Sequence, residues 1–282
     1  MKTQLRLIKK IILNALQEDM GKGDVTTDLL ITSDSSFYKA KIVANSQGVL
    51  AGIEIVKEIF HLLCSQTIFI KQLRDGDNFN EKDTLLELKT SPSVILKGER
   101  VALNFLQKLS GIATLTRKFV NLVTPYGVKI LDTRKTTPNL RLLEKYAVKI
   151  GGGFNHRFDL SSLIIIKDNH IKVVGSIKKA IKLAKQNTSP FTKIEVEVAS
   201  LDELKQITNL GIDVVMLDNF DCNTIKKAVE IIKKSSPELL IEVSGGVTLD
   251  NVESIAKEKP DFISIGKITN SPVNLDMSLK IL

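Results

Sequence analysis

Residues 213–246 read DVVMLDNFDCNTIKKAVEIIKKSSPELLIEVSGG, and this stretch decides the fold. An apolar run, VVMLDNF, closes on Asp218-Asn219; NTIKKAVEIIKK follows with apolar residues at helical spacing; a second run, LLIEVSGG, closes on Ser244-Gly245-Gly246. Apolar runs of strand length that alternate with helical patterns form parallel βα units, because the helix carries the chain back over the sheet to start the next strand in the same direction. Working outward, the texture recurs in VKILDTRK (128–135), LIIIKDNH (163–170), KIEVEVA (193–199) and DFISIGK (261–267), with SIKKAIKLAK as a further helical stretch. Such a series fits an open doubly wound sheet or a TIM-type barrel. The strand ends favour the barrel: Asp132-Thr133-Arg134-Lys135, Lys167-Asp168-Asn169-His170, Glu195 with Glu197, Asp218-Asn219, Ser244-Gly245-Gly246 and Gly266-Lys267 are all polar. A barrel gathers these carboxyl ends on one face, where the sites of such enzymes lie, whereas an open sheet gathers only neighbours.

Upstream the texture differs. An amphipathic helix is expected over about residues 3–18, then a turn in GKGDVTTD, then alternating stretches such as FYKAKIVA and TLLELKT that suggest antiparallel strands. The segment Glu99–Val123 has apolar residues at helical spacing and is read as a helix that links the two parts. The expected domains are 1–110 and 111–282, with the last C-terminal residues able to pack back on the first.

The 282 residues, 43% hydrophobic and 26% charged, describe an ordinary globular chain. Charges interrupt the apolar positions of the N-terminal helix and no run of about eighteen apolar residues occurs, so neither export nor a membrane partner is expected. Cys64 and Cys222 have no metal-ligand spacing and suggest no disulfide framework, which fits a reducing cytoplasm. The net charge of +8 favours anionic partners. With aromatics at 5% and no Trp, a base-stacking surface is poorly supplied, so a nucleic-acid partner is not expected and small anions carry the weight. Only seven arginines occur, and Arg100, Arg117, Arg134, Arg141 and Arg157 fall close together; a guanidinium fork matches carboxylate and phosphate in a way Lys does not.

Arg134, Lys135, His156, Arg157 and Lys167 at one barrel mouth would repel one another unless an anion or nearby acids neutralised them, which reads as an anion pocket; the alternative is solvated surface charge. If a helix starts at Glu99, Arg100 lies in its first turn, where the dipole disfavours a cation, and either a ligand carboxylate or an ion pair would account for it. Glu197 and Asp218 end consecutive strands and suit a hard cation such as Mg²⁺ shared with a phosphate, the alternative being salt bridges to lysines; Glu195, facing as Glu197 does, is a possible third partner. Ser244-Gly245-Gly246 and Gly266-Lys267 follow the last two runs, where barrels commonly cradle a phosphate. Gly151-Gly152-Gly153 lacks a dinucleotide-binding frame and reads as flexibility or tight packing beside His156.

The strings GERVALNFLQKLSGIAT, ILDTRKTTPNLRLLEKYAVKIGGGFNHRFDL, LIIIKDNH, IEVEV, VVMLDN, EVSGGV and ISIGKIT resemble, in order and spacing, the quinolinate phosphoribosyltransferases, also called nicotinate-nucleotide pyrophosphorylases (carboxylating). The resemblance runs from EDMGKGDVTTD nearly to the end of the chain. It implies an N-terminal α/β sandwich followed by an open TIM-like barrel of about seven strands. It also implies a cytoplasmic homodimer whose active sites are shared between subunits, some members forming hexamers. The implied reaction transfers phosphoribosyl from phosphoribosyl pyrophosphate to quinolinate with loss of CO₂, in NAD biosynthesis, using Mg²⁺ and no organic cofactor.

Carried over by motif, Arg134, His156, Arg157 and Lys167 would hold the quinolinate carboxylates, with Arg100 entering from the partner subunit. Lys135 would contact the phosphoribosyl pyrophosphate, Glu197 and Asp218 would hold Mg²⁺ and the ribose hydroxyls, and the Ser244-Gly245-Gly246 and Gly266 loops would take the 5′-phosphate, with Thr133 and Lys267 contributing nearby. Lys135, Glu197 and Asp218 are the expected catalytic residues. Two departures stand out: Asn139 replaces the usual Gly of a TPGLR motif, which a left-handed Asn accommodates, and Lys267 stands in GKITNS where a small residue is more usual. A related pyrophosphorylase-like protein, such as the paralogue associated with molybdenum transport operons, or a transferase for another pyridine acid, is the competing enzyme reading; a basic nucleic-acid-binding protein is the non-enzyme one.

Overall fold

The computed structural model describes residues 2–31 and 36–282, with the side chains of residues 2–4 excepted. Among the described residues the chain forms twelve strands: β1 (Tyr38–Ala44), β2 (Gly48–Val49), β3 (Ile68–Gln72), β4 (Asn78–Phe79), β5 (Thr84–Thr90), β6 (Lys129–Leu131), β7 (Ile164–Ile166), β8 (Ile194–Val198), β9 (Val214–Asp218), β10 (Leu240–Ser244), β11 (Phe262–Ser264) and β12 (Met277–Ile281). Contacts divide the chain into two compact units: Met1–Arg117 with Thr136–Gly152 and Ile268–Leu282, and Lys118–Lys135 with Gly153–Lys267.

In the first unit the stretches FYKAKIVA and TLLELKT form β1 and β5, which pair antiparallel in a four-stranded sheet of order β12-β1-β5-β3; β2 and β4 form a separate pair. Ala40, Ile42, Leu86 and Leu88 are fully buried, as alternation along a half-buried sheet requires. Helix Ile53–Leu63 buries Ile53, Val56, Ile59 and Phe60. The helix expected to begin near Glu99 begins at Pro92 and runs to Val123. Thr90-Ser91-Pro92 is the start signal, since proline at the first helical position gives up only an N–H that would be unsatisfied anyway. Arg100 is therefore exposed well inside a helix, and the dipole argument for a ligand there does not hold. Asn139 is left-handed (φ 66), as its replacement of glycine requires. A Cβ on Gly151 would lie 2.6 Å from the Ala113 carbonyl oxygen and 2.5 Å from Thr116 Cβ, so this glycine marks tight packing against helix Pro92–Val123.

The second unit is the open TIM-like barrel. The six apolar runs are its six parallel strands, in the order β6-β11-β10-β9-β8-β7. On the open side of β6 a parallel bridge joins Leu131 to Phe154, a single-residue seventh staple. Ile194, Val196 and Val198 of β8 are buried on one face, which places Glu195 and Glu197 together on the other. Helices such as Ile177–Asn187 and Cys222–Ser235 return the chain between strands, the latter capped by Asp221, whose side chain accepts from the Thr224 N–H. Among the described helices none is long and apolar enough to cross a membrane.

Candidate active site

Parallel register sets the levels of the site. Glu197 of β8 and Glu242 of β10 both stand level with Met216 of β9, while Asp218 stands level with Ser244, and Ser244 with Ser264. Glu195 lies two residues deeper on β8 than Glu197. The polar groups thus form a rim at the strand ends and a floor beneath it.

At the rim, Thr133 Oγ1 accepts from the Lys135 N–H at 3.0 Å, turning the chain directly after β6. Arg134 and Lys135 are exposed there. Lys167 Nζ is ion-paired with Glu197, so Lys167 meets a carboxylate of the protein itself. The Lys167 N–H donates to His170 Nδ1 at 2.9 Å, so His170 works as a helix cap. Asp218 accepts from Asn219 Nδ2 at 2.7 Å, and the Asn219 N–H donates to the Ser244 carbonyl at 2.8 Å, tying two strand ends together. Gly245 (φ 88) lies so close that a Cβ there would be 2.2 Å from Asn219 Oδ1, so only glycine fits. Asn251 Nδ2 donates to the Gly246 carbonyl at 2.9 Å and braces the same loop. Gly266 follows β11, and Lys267 opens the short helix Lys267–Asn270. Arg100 belongs to the first unit.

The floor is built differently. His156 Nε2 lies 3.2 Å from Glu195 Oε2 and 3.3 Å from Glu242 Oε2, and both carboxylate side chains are only 1% exposed. Burial would lower the pKa of His156, but hydrogen bonds to Glu195 and Glu242 outweigh it and push it up to about 10. Burial also raises that of Glu195. At the other side of the ring the Arg157 N–H donates to Nδ1 at 2.7 Å. An imidazolium has no lone pair for that amide, so carboxylates and amide pull in opposite directions on Nδ1; both agree on a proton at Nε2. Glu195 therefore turns to His156.

Arg157 joins floor to rim. Its Nη1 donates to the Leu163 carbonyl at 2.9 Å, and burial followed by the charge of Arg134 lowers its pKa. Beneath it, buried Asp132 accepts the His156 N–H at 2.8 Å. Sequence reasoning did not single out Asp132 or Glu242 as site residues. Glu242 had a visible signal, a charge within the apolar run LLIEVSGG two residues before Ser244.

Two carboxylate groups could engage a cation. His156, Glu195 and Glu242 form a cluster of suitable composition, but a metal on Nε2 would require the proton to sit on Nδ1, where the Arg157 amide already points its own hydrogen. Glu197 and Asp218 offer hard oxygen donors on adjacent strands, the set Mg²⁺ takes when water and phosphate complete its shell.

Comparison with known proteins agrees along nearly the whole chain. The family models described as quinolinate phosphoribosyl transferase match residues 24–110 with the N-terminal domain and 112–280 with the C-terminal domain. A Bacillus subtilis (strain 168) relative named probable nicotinate-nucleotide pyrophosphorylase (carboxylating) is 41% identical over 274 residues, 97% of this chain and 93% of its own. The solved nicotinate-nucleotide pyrophosphorylase of Ehrlichia chaffeensis superposes with a TM-score of 0.92 at 40% identity, over 97% of this chain and 98% of that one. That of Francisella tularensis gives 0.91 at 38%, over 98% and 96%. With both domain models matched and relatives this similar across nearly their full lengths, the chain belongs to the quinolinate phosphoribosyltransferase family of enzymes.

Proposed function

We propose that the barrel mouth of this chain transfers phosphoribosyl from phosphoribosyl pyrophosphate to quinolinate, releasing pyrophosphate and CO₂ and leaving nicotinate mononucleotide for NAD biosynthesis. The observation that carries this reading is the pair Arg134 and Arg157, two guanidinium groups held near enough for one to depress the pKa of the other. Their repulsion is relieved by a dianion, and quinolinate presents two adjacent carboxylates to two planar forks.

Around that pair the roles divide by position. Arg134, His156, Arg157 and Lys167 hold the carboxylates, with Arg100 supplied by the partner subunit of a cytoplasmic homodimer. Lys135 lies at the pyrophosphate of the second substrate. Ser244, Gly245, Gly246 and Gly266 cradle the 5′-phosphate, with Lys267 and Thr133 at its edge. Glu197 and Asp218 would hold Mg²⁺ together with ribose hydroxyls; when bound, that ion neutralises charge on the leaving pyrophosphate. Lys167 then exchanges Glu197 for a substrate carboxylate.

No protein nucleophile is required. Departure of pyrophosphate leaves an oxocarbenium-like ribose whose positive charge the rim carboxylates stabilise, and the pyridine nitrogen attacks once both substrates are held in line. The ring nitrogen becomes cationic. The carbon–carbon bond to the adjacent carboxylate then breaks, its electron pair stays on the ring carbon beside that cation, and a proton from solvent replaces CO₂.

The test supplies Mg²⁺ and phosphoribosyl pyrophosphate with either quinolinate or nicotinate. The reading expects mononucleotide and CO₂ from quinolinate and no turnover of nicotinate; nicotinate turnover without CO₂ would move the chain to a transferase for another pyridine acid.

A further inference from the structure

We propose that helix Arg141–Ile150 is clamped at both ends to set the two substrate loops it joins, with Glu144 the positioning residue for the Arg134-Lys135 loop before it and Arg117 the positioning residue for the His156-Arg157 loop after it. The proposal rests on the quinolinate reading above and adds to it two residues that act through the backbone.

Three observations carry it. First, the opening turn of this helix holds a buried charge that the reaction does not use. Glu144 is fully buried; its Oε2 accepts the Thr137 N–H at 3.0 Å and its Oε1 lies 3.2 Å from Lys108 Nζ. A carboxylate suits the positive end of a helix, and this one reaches back to an amide two residues beyond Lys135. Leu140, at the N-cap, contributes no side-chain bond, and Arg141 Nε donates to Thr136 Oγ1 at 3.0 Å, so the loop is tied down by the helix itself. Second, Arg117 belongs to the arginine cluster of the sequence, yet it serves backbone: its Nε donates to the Gly151 carbonyl at 2.9 Å and its Nη2 to the Ile150 carbonyl at 3.2 Å. The last carbonyls of a helix have no partner within it, and a planar fork satisfies two at once where an ammonium cannot. Third, both anchors come from one element. Lys108 and Arg117 both lie on helix Pro92–Val123, about two and a half turns apart. The same helix leaves no room at Gly151, where a Cβ would lie 2.6 Å from the Ala113 carbonyl oxygen.

Burying a carboxylate is costly unless it is bonded and paired. What this one secures is the Thr137 amide, and what the fork secures is the turn that leads to Phe154, whose N–H donates to the Ile130 carbonyl at 2.8 Å. The two ends serve different substrates. Arg134 faces quinolinate and Lys135 the pyrophosphate, whereas His156 and Arg157 face quinolinate alone.

The experiment uses the full-length protein in steady state. Arg117→Ala is expected to raise the KM for quinolinate about tenfold and leave that for phosphoribosyl pyrophosphate unchanged, while Glu144→Leu is expected to raise both about tenfold. Glu144→Gln, which keeps the acceptor for Thr137, is expected to stay within about threefold of wild type. Where either variant does not fold, Glu144→Asp, one methylene short of Thr137, and Arg117→Lys, which keeps the charge without the fork, take their places with the same pattern expected. The same pattern from both positions, a lowered kcat with both KM values unchanged, or a Glu144→Gln as impaired as Glu144→Leu would overturn the proposal. If the wild-type protein does not turn over quinolinate, the pocket reading fails instead, and amide exchange decides the clamp: Arg117→Ala should lower protection in residues 153–157 and Glu144→Leu in residues 133–137, and loss spread evenly over both loops would overturn it.

Discussion

Glu195 and Glu197 lie two residues apart on one strand and face the same way, yet they occupy different chemistries. Glu197 is at the rim, part-exposed and paired with Lys167, whose own side chain is 39% exposed. Glu195 is on the floor, buried, and shares a histidine with Glu242. The difference teaches that burial, more than residue type, separates groups that stay open to exchange from groups that hold other groups in place: Glu242 stands level with Glu197 and is buried all the same. Rim charges stay solvated enough to change partners. Floor charges are committed, because losing a buried partner leaves an uncompensated charge.

That contrast can be broken first through stability. Glu242→Ala removes a buried partner of His156 and is expected to cost about 4 kcal/mol in urea unfolding, whereas Glu197→Ala, at the rim, is expected to cost under about 1 kcal/mol. Similar losses for the two would erase the distinction. Activity should show the opposite ranking: Arg134→Ala is expected to lose about 3 kcal/mol, on the order of 100-fold in kcat/KM for quinolinate, with its melting temperature unchanged. Between these lies Gly245→Ala. The left-handed backbone and the contact with Asn219 put its expected cost near 2 kcal/mol, and displacement of the loop should raise the KM for phosphoribosyl pyrophosphate and not that for quinolinate.

The smallest expected effects are in pH dependence, where the two layers weaken at opposite ends. The pKa of His156 is raised from 6.5 to about 10, so the stability it contributes is fully present below pH 6.5 and is lost as the pH rises through 10. The gap in melting temperature between wild type and His156→Gln should therefore narrow from pH 7 to pH 10. Asp159, in the loop beyond Arg157, has its pKa lowered from 3.8 to about 2 by hydrogen bonds from the Ser161 and Ser162 hydroxyls and the Ser161 N–H. Its contribution is present above pH 3.8 and is lost as the pH falls through 2, so the protection of amides in residues 158–163, measured against their intrinsic exchange rates, should fall in acid. An equal response of both layers to acid and base would contradict the division.

The sequence made the rim legible and hid the floor for the same physical reason. Periodicity locates a strand and polarity marks its end, which is why all six parallel strands and Thr133, Arg134, Lys135, Lys167, Glu197, Asp218 and Ser244 could be placed on one mouth. Period two also says that Glu195 faces as Glu197 does, but facing carries no information about depth, and depth turned Glu195 toward His156. Asp132 and Glu242 were hidden likewise, their roles depending on a loop that crosses the barrel end. The Phe154 bridge is one residue long and leaves no period to read. The apolar pattern becomes regular only from Glu99, so the start of helix Pro92–Val123 lies in the Ser91-Pro92 signal and not in the period.

The most direct test of the account is the release of CO₂ from quinolinate labelled at the carboxylate beside the ring nitrogen, followed with phosphoribosyl pyrophosphate and Mg²⁺ in wild type and Arg134→Ala. The account predicts one CO₂ per mononucleotide in wild type and near-complete loss in Arg134→Ala. Labelled CO₂ absent from the wild-type reaction, or appearing undiminished in Arg134→Ala, would contradict it.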